Sequence, residues 1–215
     1  MASSAFREQP VTEVFTIGHS TLDYESFLAL LKQANVTAIA DVRSSPQSQH
    51  FPHFDQEILK AELSKDGIAY VFLGAELGGR PKNPEFYCDE VADYDKMATG
   101  EAFKKGIKRV IAGAENYRIA LMCSESSPFD CHRCLLVGRA LSDGGVTVRH
   151  ILTNGRQLSQ RDIENQLVYE YGKGAADMFA EGFVQLANAY RERALQVSYR
   201  KPPSKPRPDN PVAAE

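Results

Sequence analysis

The chain contains no tryptophan, no hydrophobic run approaching a membrane span and no marked excess of either charge. Its apolar stretches stay short of the roughly 18 residues that a bilayer-spanning helix requires. A formal net charge of −3 argues against a general polyanion binder, although a local basic patch is compatible with it. Two nucleotide fingerprints are missing. Where G-x-G-x-x-G would follow the first strand stands Gly18-His19-Ser20, and no G-x-x-x-x-G-K-[ST] occurs, so neither NAD or FAD nor a P-loop nucleotide is expected. Residues 1–10 lack the apolar core of a secretory leader, with Glu8 interrupting early, so a cytoplasmic location is expected. The four cysteines are Cys88, Cys123, Cys131 and Cys134. In a reducing compartment, and in a chain large enough to build its own core, free thiols are expected rather than two disulfides.

What is present is an alternation of β-rich runs and amphipathic segments. Strands are expected near residues 14–17, 37–42, 68–73, 118–122 and 146–151, each ending in polar residues. Between them, helices are expected from about Thr21 or Asp23 to Asn35, over 55–65, over 103–116, and from about Asp130 or Cys131 to Ser142. Residues 82–100 read as a long excursion with a short helix near Tyr94–Met97. Short βαβ connections impose parallel strands and right-handed crossovers. The expected fold is therefore an open, mostly parallel α/β sheet of about five strands, Rossmann-like or flavodoxin-like, with helices on both faces. Four stretches follow: a flexible N-terminus over 1–11, an α/β domain over 12–155, a helical extension over 156–198 with a break at Gly172–Gly174, and a disordered, basic, proline-rich tail over 199–215.

In such a sheet, side chains just past the carboxyl ends of the strands share one crevice. Those positions hold His19 after the first strand and Asp41 with Arg43 after the second. The third is followed by Glu76 and Arg80, the fourth by Cys123, Ser124 and Glu125, and His150 ends the fifth. The densest segment runs from Cys123 through Asp130-Cys131-His132-Arg133. A cysteine near a helix start, beside Arg133, is a site for a partly ionised thiol or for a bound phosphate. His19, Asp41, Glu125, Cys131 and His132 are the catalytic candidates. Arg43, Arg80, Arg133 and Ser124 are the substrate-binding ones, since guanidinium groups match phosphate geometry.

The strings Thr16-Ile17-Gly18-His19-Ser20, Asp41-Val42-Arg43 followed by Pro46, Leu77-Gly78-Gly79-Arg80, and Leu121-Met122-Cys123-Ser124-Glu125 followed by Cys131-His132-Arg133 resemble those of the domain of unknown function 488 family of bacterial and archaeal proteins. The resemblance implies an α/β fold and carries no reaction with it. Where that family has a small polar residue after Cys-His-Arg, this chain has Cys134, which makes Cys131-x-x-Cys134 an incidental pair rather than a shared redox motif.

Several functions stay open at this point. One is an enzyme acting on a phosphorylated, nucleotide-like or nucleic-acid substrate, with the arginines on anionic oxygens and Glu125, Asp41 or His19 moving protons. Another is thiol chemistry at Cys131 or Cys123, although the ten-residue step from Cys123 to Arg133 does not fit a rhodanese or phosphatase loop. A third is a metal site drawn from His19, Cys123, Cys131, His132 and Glu125. The last is a non-enzymatic module that binds nucleic acid through the basic tail. No membrane partner is expected, and oligomeric state is unread.

Overall fold

A computed structural model describes residues 12–48, 50–171 and 182–202. The expected flexible N-terminus, the expected break near Gly172 and the tail beyond residue 202 lie outside the described residues. β1 (Glu13–Gly18) leads to α1 (Tyr24–Gln33), where the Asp23 carboxylate caps the first turn by accepting the Ser26 N–H at 2.6 Å. β2 (Ala38–Asp41), α2 (Gln56–Lys65) and β3 (Ala69–Phe72) follow. The excursion after β3 holds α3 (Gly74–Leu77), an antiparallel pair of β4 (Tyr87–Cys88) and β5 (Val91–Ala92), then α4 (Tyr94–Thr99) and α5 (Glu101–Ala114). After β6 (Ile119–Cys123), a π-helical segment, Arg133–Gly138, runs into α6 (Arg139–Asp143). β7 (Thr147–Ile151), β8 (Gln157–Ser159), α7 (Gln160–Tyr171) and α8 (Gly182–Val197) complete the chain.

The main sheet has six strands in the order β3-β2-β6-β1-β7-β8. Five are parallel, and β8 adds antiparallel to the β7 edge. The α/β plan with C-terminal helices is as the sequence leads one to expect. The sixth strand is new, since Gln157-Leu158-Ser159 falls at the start of the stretch expected to be a helical extension. Right-handed crossovers sort the helices. The leftward connections lay Phe27, Leu31, Leu59 and Leu63 of α1 and α2 on one face, against Phe15, Ile17, Ile39 and Met122. The rightward ones lay α5 and α6 on the other face, through Val110 and Leu141, and α7 and α8, which follow β8, add Leu167 and Tyr190 to the same cluster. Chain leaving β2 and chain leaving β6 therefore diverge, and a crevice opens between those neighbouring strands at their carboxyl ends. Among the described residues no helix is long and apolar enough to cross a membrane.

A buried polar chain ties the C-terminal helices to the sheet. Thr16 Oγ1 donates to His150 Nδ1 at 2.8 Å, and His150 Nε2–H donates to Gln160 Oε1 at 2.8 Å. Gln160 then donates to Tyr190 Oη at 2.6 Å, which donates to Glu164 at 3.1 Å. Every direction in this chain suits a neutral His150. Burial first, and the Arg133 charge second, lower its pKa from 6.5 to about 4. His19 is lowered to about 4 in the same way, by burial and then by Arg43. The unfolded chain takes up these protons as pH falls through 6.5, whereas the folded chain resists until about 4. Stability is thus complete above pH 6.5 and is lost on acidification between 6.5 and 4, by about 3 kcal/mol for each histidine. Urea titrations between pH 7 and 4.5 are expected to record that loss. In His150→Gln the slope should fall by about 1.4 kcal/mol per pH unit, one proton; an unchanged slope would mean that His150 is already charged in the folded protein.

Candidate functional site

Of the residues expected at the carboxyl edge, Arg43, Arg80, Cys123, Ser124, Glu125, Cys131 and His132 line one cavity of about 400 Å³. β6 ends at Cys123, and its loop is held by three unrelated contacts. The His19 and Ser20 N–H groups extend the β1 ladder onto the Cys123 and Ser124 carbonyls, both at 2.9 Å. Arg133 Nη1 and Nη2 donate to the Glu125 and Ser126 carbonyls at 2.6 and 3.0 Å. Gly18 completes the arrangement: a Cβ there would stand 1.7 Å from the Glu125 carbonyl oxygen, so only glycine lets β1 pass.

Cys131 is not the first helical residue that the sequence suggests. It follows a 3₁₀ turn, Pro128–Asp130, in extended conformation (φ −135°, ψ 136°), and the helix after it begins with the π segment. This is why adjacent side chains that would diverge on a regular helix converge here. π-helical turns are common where a functional side chain has to be re-aimed. The Sγ atoms of Cys123 and Cys131 and Nδ1 of His132 lie within 4.8 Å of one another. His132 Nδ1 is 3.7 Å from Cys123 Sγ and 3.8 Å from Cys131 Sγ. His132 Nε2 donates to the Val42 carbonyl at 2.8 Å, which turns the Nδ1 lone pair toward the sulfurs. The Gly79 backbone presses on this ring so closely that a Cβ would sit 2.8 Å from His132 Cγ. Glu125 reaches in from the rim, with Oε2 2.8 Å from Cys123 Sγ and 3.2 Å from Cys131 Sγ.

The electrostatics follow from Arg133. Its side chain is fully buried, it bonds two carbonyls and no carboxylate, and its Nε has no partner. A buried cation needs a counter-charge, and the nearest groups able to supply one are Cys131 and then Cys123. Burial opposes charge on Cys131, yet the hydrogen bond from Cys123, Arg133 and His132 together hold its thiol well below the ordinary range. Cys123 moves the other way, pushed well up by burial and by Cys131. Burial, then Cys131, also raises the Glu125 carboxyl above the usual carboxylate range. Burial, the largest single influence, works against charge on His132, but Cys131, the Val42 carbonyl and Glu125 together raise the imidazole.

The other expected residues stand in supporting positions. Asp41 lies beneath the cavity, fully buried, accepting from Arg43 Nε and Nη2 at 3.0 and 2.6 Å and from Tyr70 Oη at 2.7 Å. Arg43 reaches the cavity wall with its guanidinium already engaged by Asp41 and by the Phe54 carbonyl at 2.9 Å. Arg133 sits behind the thiols rather than in the cavity. His19 lines a neighbouring hollow that shares Ser124 and Glu125. It stacks on Phe54 at 4.1 Å, and its Nδ1 donates to the Ser20 carbonyl. Glu76 pairs with Arg109, and His150 belongs to the interior chain described above. Sequence reasoning missed Tyr94, Val197 and Tyr199, which also line the cavity. Tyr199 arrives through the bridge between Val91 and Arg200, which no local pattern announces. All four cysteines are free, and only Cys88 is exposed.

Searches of curated proteins and of solved structures find no match. The family model described as "Domain of unknown function DUF488" matches residues 23–140, which takes in Arg43, Arg80 and the whole Cys123–His132 cluster. That span exceeds half of the 215 residues, and the chain belongs to this family.

Proposed function

We propose that the chain is a metal-dependent hydrolase, with Cys123, Cys131 and His132 holding one zinc-class ion and Glu125 moving the proton. The observation that carries this reading is the spacing of the three donors. A tetrahedral ion about 2.3 Å from sulfur and 2.0–2.1 Å from nitrogen separates those two atoms by about 3.6 Å. Here His132 Nδ1 stands 3.7 and 3.8 Å from the two sulfurs. Two thiolates and an imidazole are a soft set that suits zinc over magnesium or calcium. The Val42 carbonyl on His132 Nε2 is the outer-shell partner that such ligands ordinarily have. Three protein ligands would leave one position of a four-coordinate ion open, the pattern of a catalytic rather than a structural site, and all three residues line the cavity.

An ion bound there would supply a water acidified to near neutral pH. Glu125, at the rim beside the two sulfurs, would serve as the base for the attacking water, whose oxygen would bond to the electrophilic atom of the substrate as the bond to the leaving group breaks. Glu125 would then return the proton to the leaving group and end unchanged. One histidine, two cysteines and a non-ligating glutamate also serve zinc deaminases, on a ligand spacing unlike Cys123-x-Glu125 and Cys131-His132, so the parallel is one of chemistry alone. A second reading, in which Cys131 is itself the nucleophile, is favoured by its thiolate character beside Arg133.

Elemental analysis of the full chain as purified separates the two readings. About one zinc-class ion per chain is expected, falling below a tenth of that in Cys131→Ser and in His132→Ala. A metal-free wild type whose Cys131 is alkylated selectively by iodoacetamide at neutral pH would replace the metal reading by the thiol one.

A further inference from the structure

We infer that Arg80 is the seat of a phosphoryl group on the substrate, held beside the metal centre and steadied by Tyr199, just beyond α8; this deepens the hydrolase reading and rests on it for the reaction only. The three guanidinium groups expected at this edge differ in what they have left to offer. Arg43 is bound to Asp41, and Arg133 to two carbonyls. Arg80 is exposed in the cavity and forms no ion pair with a carboxylate among the described residues. The acidic groups of the cavity are occupied in turn, Asp130 by Arg193 and Glu125 by the two thiols. One uncompensated cation therefore faces the open space.

Its position is fixed from three sides. The Arg80 N–H donates to Ser44 Oγ at 2.9 Å. Having accepted that bond, the Ser44 hydroxyl keeps its own proton to give, and Ser44 and Ser45 both line the cavity. The Arg80 guanidinium lies over the Tyr199 ring, 5.1 Å from its centre, a stacking that pre-orients the planar fork. Tyr199 is held by its carbonyl, which accepts the Ala92 N–H at 2.9 Å, and the next turn of chain is held by Lys201 N–H on the Glu90 carbonyl at 2.9 Å. On the remaining side Gly79 touches the His132 ring, which puts the Arg80 backbone one residue from a metal ligand. The Arg80 fork shares the cavity with the side chains of Ser44 and Ser45, whose hydroxyls can add donors to those of the guanidinium. A tetrahedral phosphoryl group has three oxygens to meet them, whereas a planar carboxylate has two, in the plane of the fork.

Calorimetric titration of the full-length protein with inorganic phosphate tests this, with metal content measured on each preparation. Wild type is expected to bind phosphate with a Kd in the millimolar range or below, Arg80→Gln about tenfold or more weakly, and Tyr199→Ala several-fold more weakly, at unchanged metal content. Equal binding by Arg80→Gln, or no binding by metal-loaded wild type, would overturn the assignment. Acetate binding as tightly as phosphate, with the same dependence on Arg80, would overturn the choice of a phosphoryl group. Arg80-dependent phosphate binding by a chain that carries no metal would sink the hydrolase reading and leave this one standing.

Discussion

Glu125→Gln is expected to keep its metal and to lose about 10²- to 10⁴-fold of its hydrolytic rate, the range associated with removing a positioned acid or base. Glutamine has the same shape and the same number of heavy atoms but cannot take a proton from water. The loop itself does not depend on the side chain, because Arg133 holds the Glu125 backbone carbonyl at 2.6 Å, while the carboxylate is bonded to the two thiols. Folding and metal content should accordingly stay near wild type while kcat collapses and KM changes little. An activated phosphate ester is a suitable substrate, with metal measured on the same preparations. Parallel loss of metal and rate would make Glu125 a fourth ligand instead, and a rate close to wild type would remove it from the reaction.

How much of this was legible in the sequence depends on how far apart the interacting residues lie along the chain. β6 was readable because its position in the middle of the sheet demands apolar residues on both faces, and Ile119–Cys123 are all buried. β8 was not, since an antiparallel edge of three residues with one leucine, Gln157-Leu158-Ser159, leaves no pattern to find. The density of Cys123, Glu125, Cys131 and His132 within one segment was visible, but their convergence was not. It depends on Cys131 being extended and on a π segment in place of a regular helix. Arginine was the hardest residue to read. Nothing in the residue type distinguishes Arg133, buried on two carbonyls of the β6 loop, from Arg80, open to the cavity; the fold of that loop is set in part by Gly18, far away in sequence. Tyr199 joins the site only because Arg200 pairs with Val91, an encounter set by the whole fold.

Asp41→Ala is expected to cost about 3–5 kcal/mol of stability, the usual range when one partner of a buried ion pair is removed and the other charge stays behind. Arg43 is only 3% exposed, and without Asp41 it would retain the Phe54 and Pro46 carbonyls at 2.9 and 3.3 Å as acceptors. Neither carries a compensating charge. Tyr70 would lose its acceptor as well. Replacing the pair together, as in Asp41→Leu with Arg43→Met, removes both charges and should cost clearly less than Asp41→Ala alone. Urea unfolding of the three proteins measures the difference, and a loss below about 1 kcal/mol in Asp41→Ala would show that water reaches Arg43. The consequence extends to the site. Val42, whose carbonyl holds His132 Nε2 at 2.8 Å, is the residue between Asp41 and Arg43, and the Arg43 N–H is itself bonded to Asp41 Oδ1 at 3.0 Å. The ion pair thereby sets the direction of the carbonyl that orients the imidazole. Asp41→Ala should weaken metal retention by about 10- to 100-fold, as loss of an outer-shell partner does, although Asp41 touches neither the thiols nor His132. Competition with a chelator measures that shift, and metal affinity unchanged in a folded Asp41→Ala would show that Val42 is held by the sheet alone.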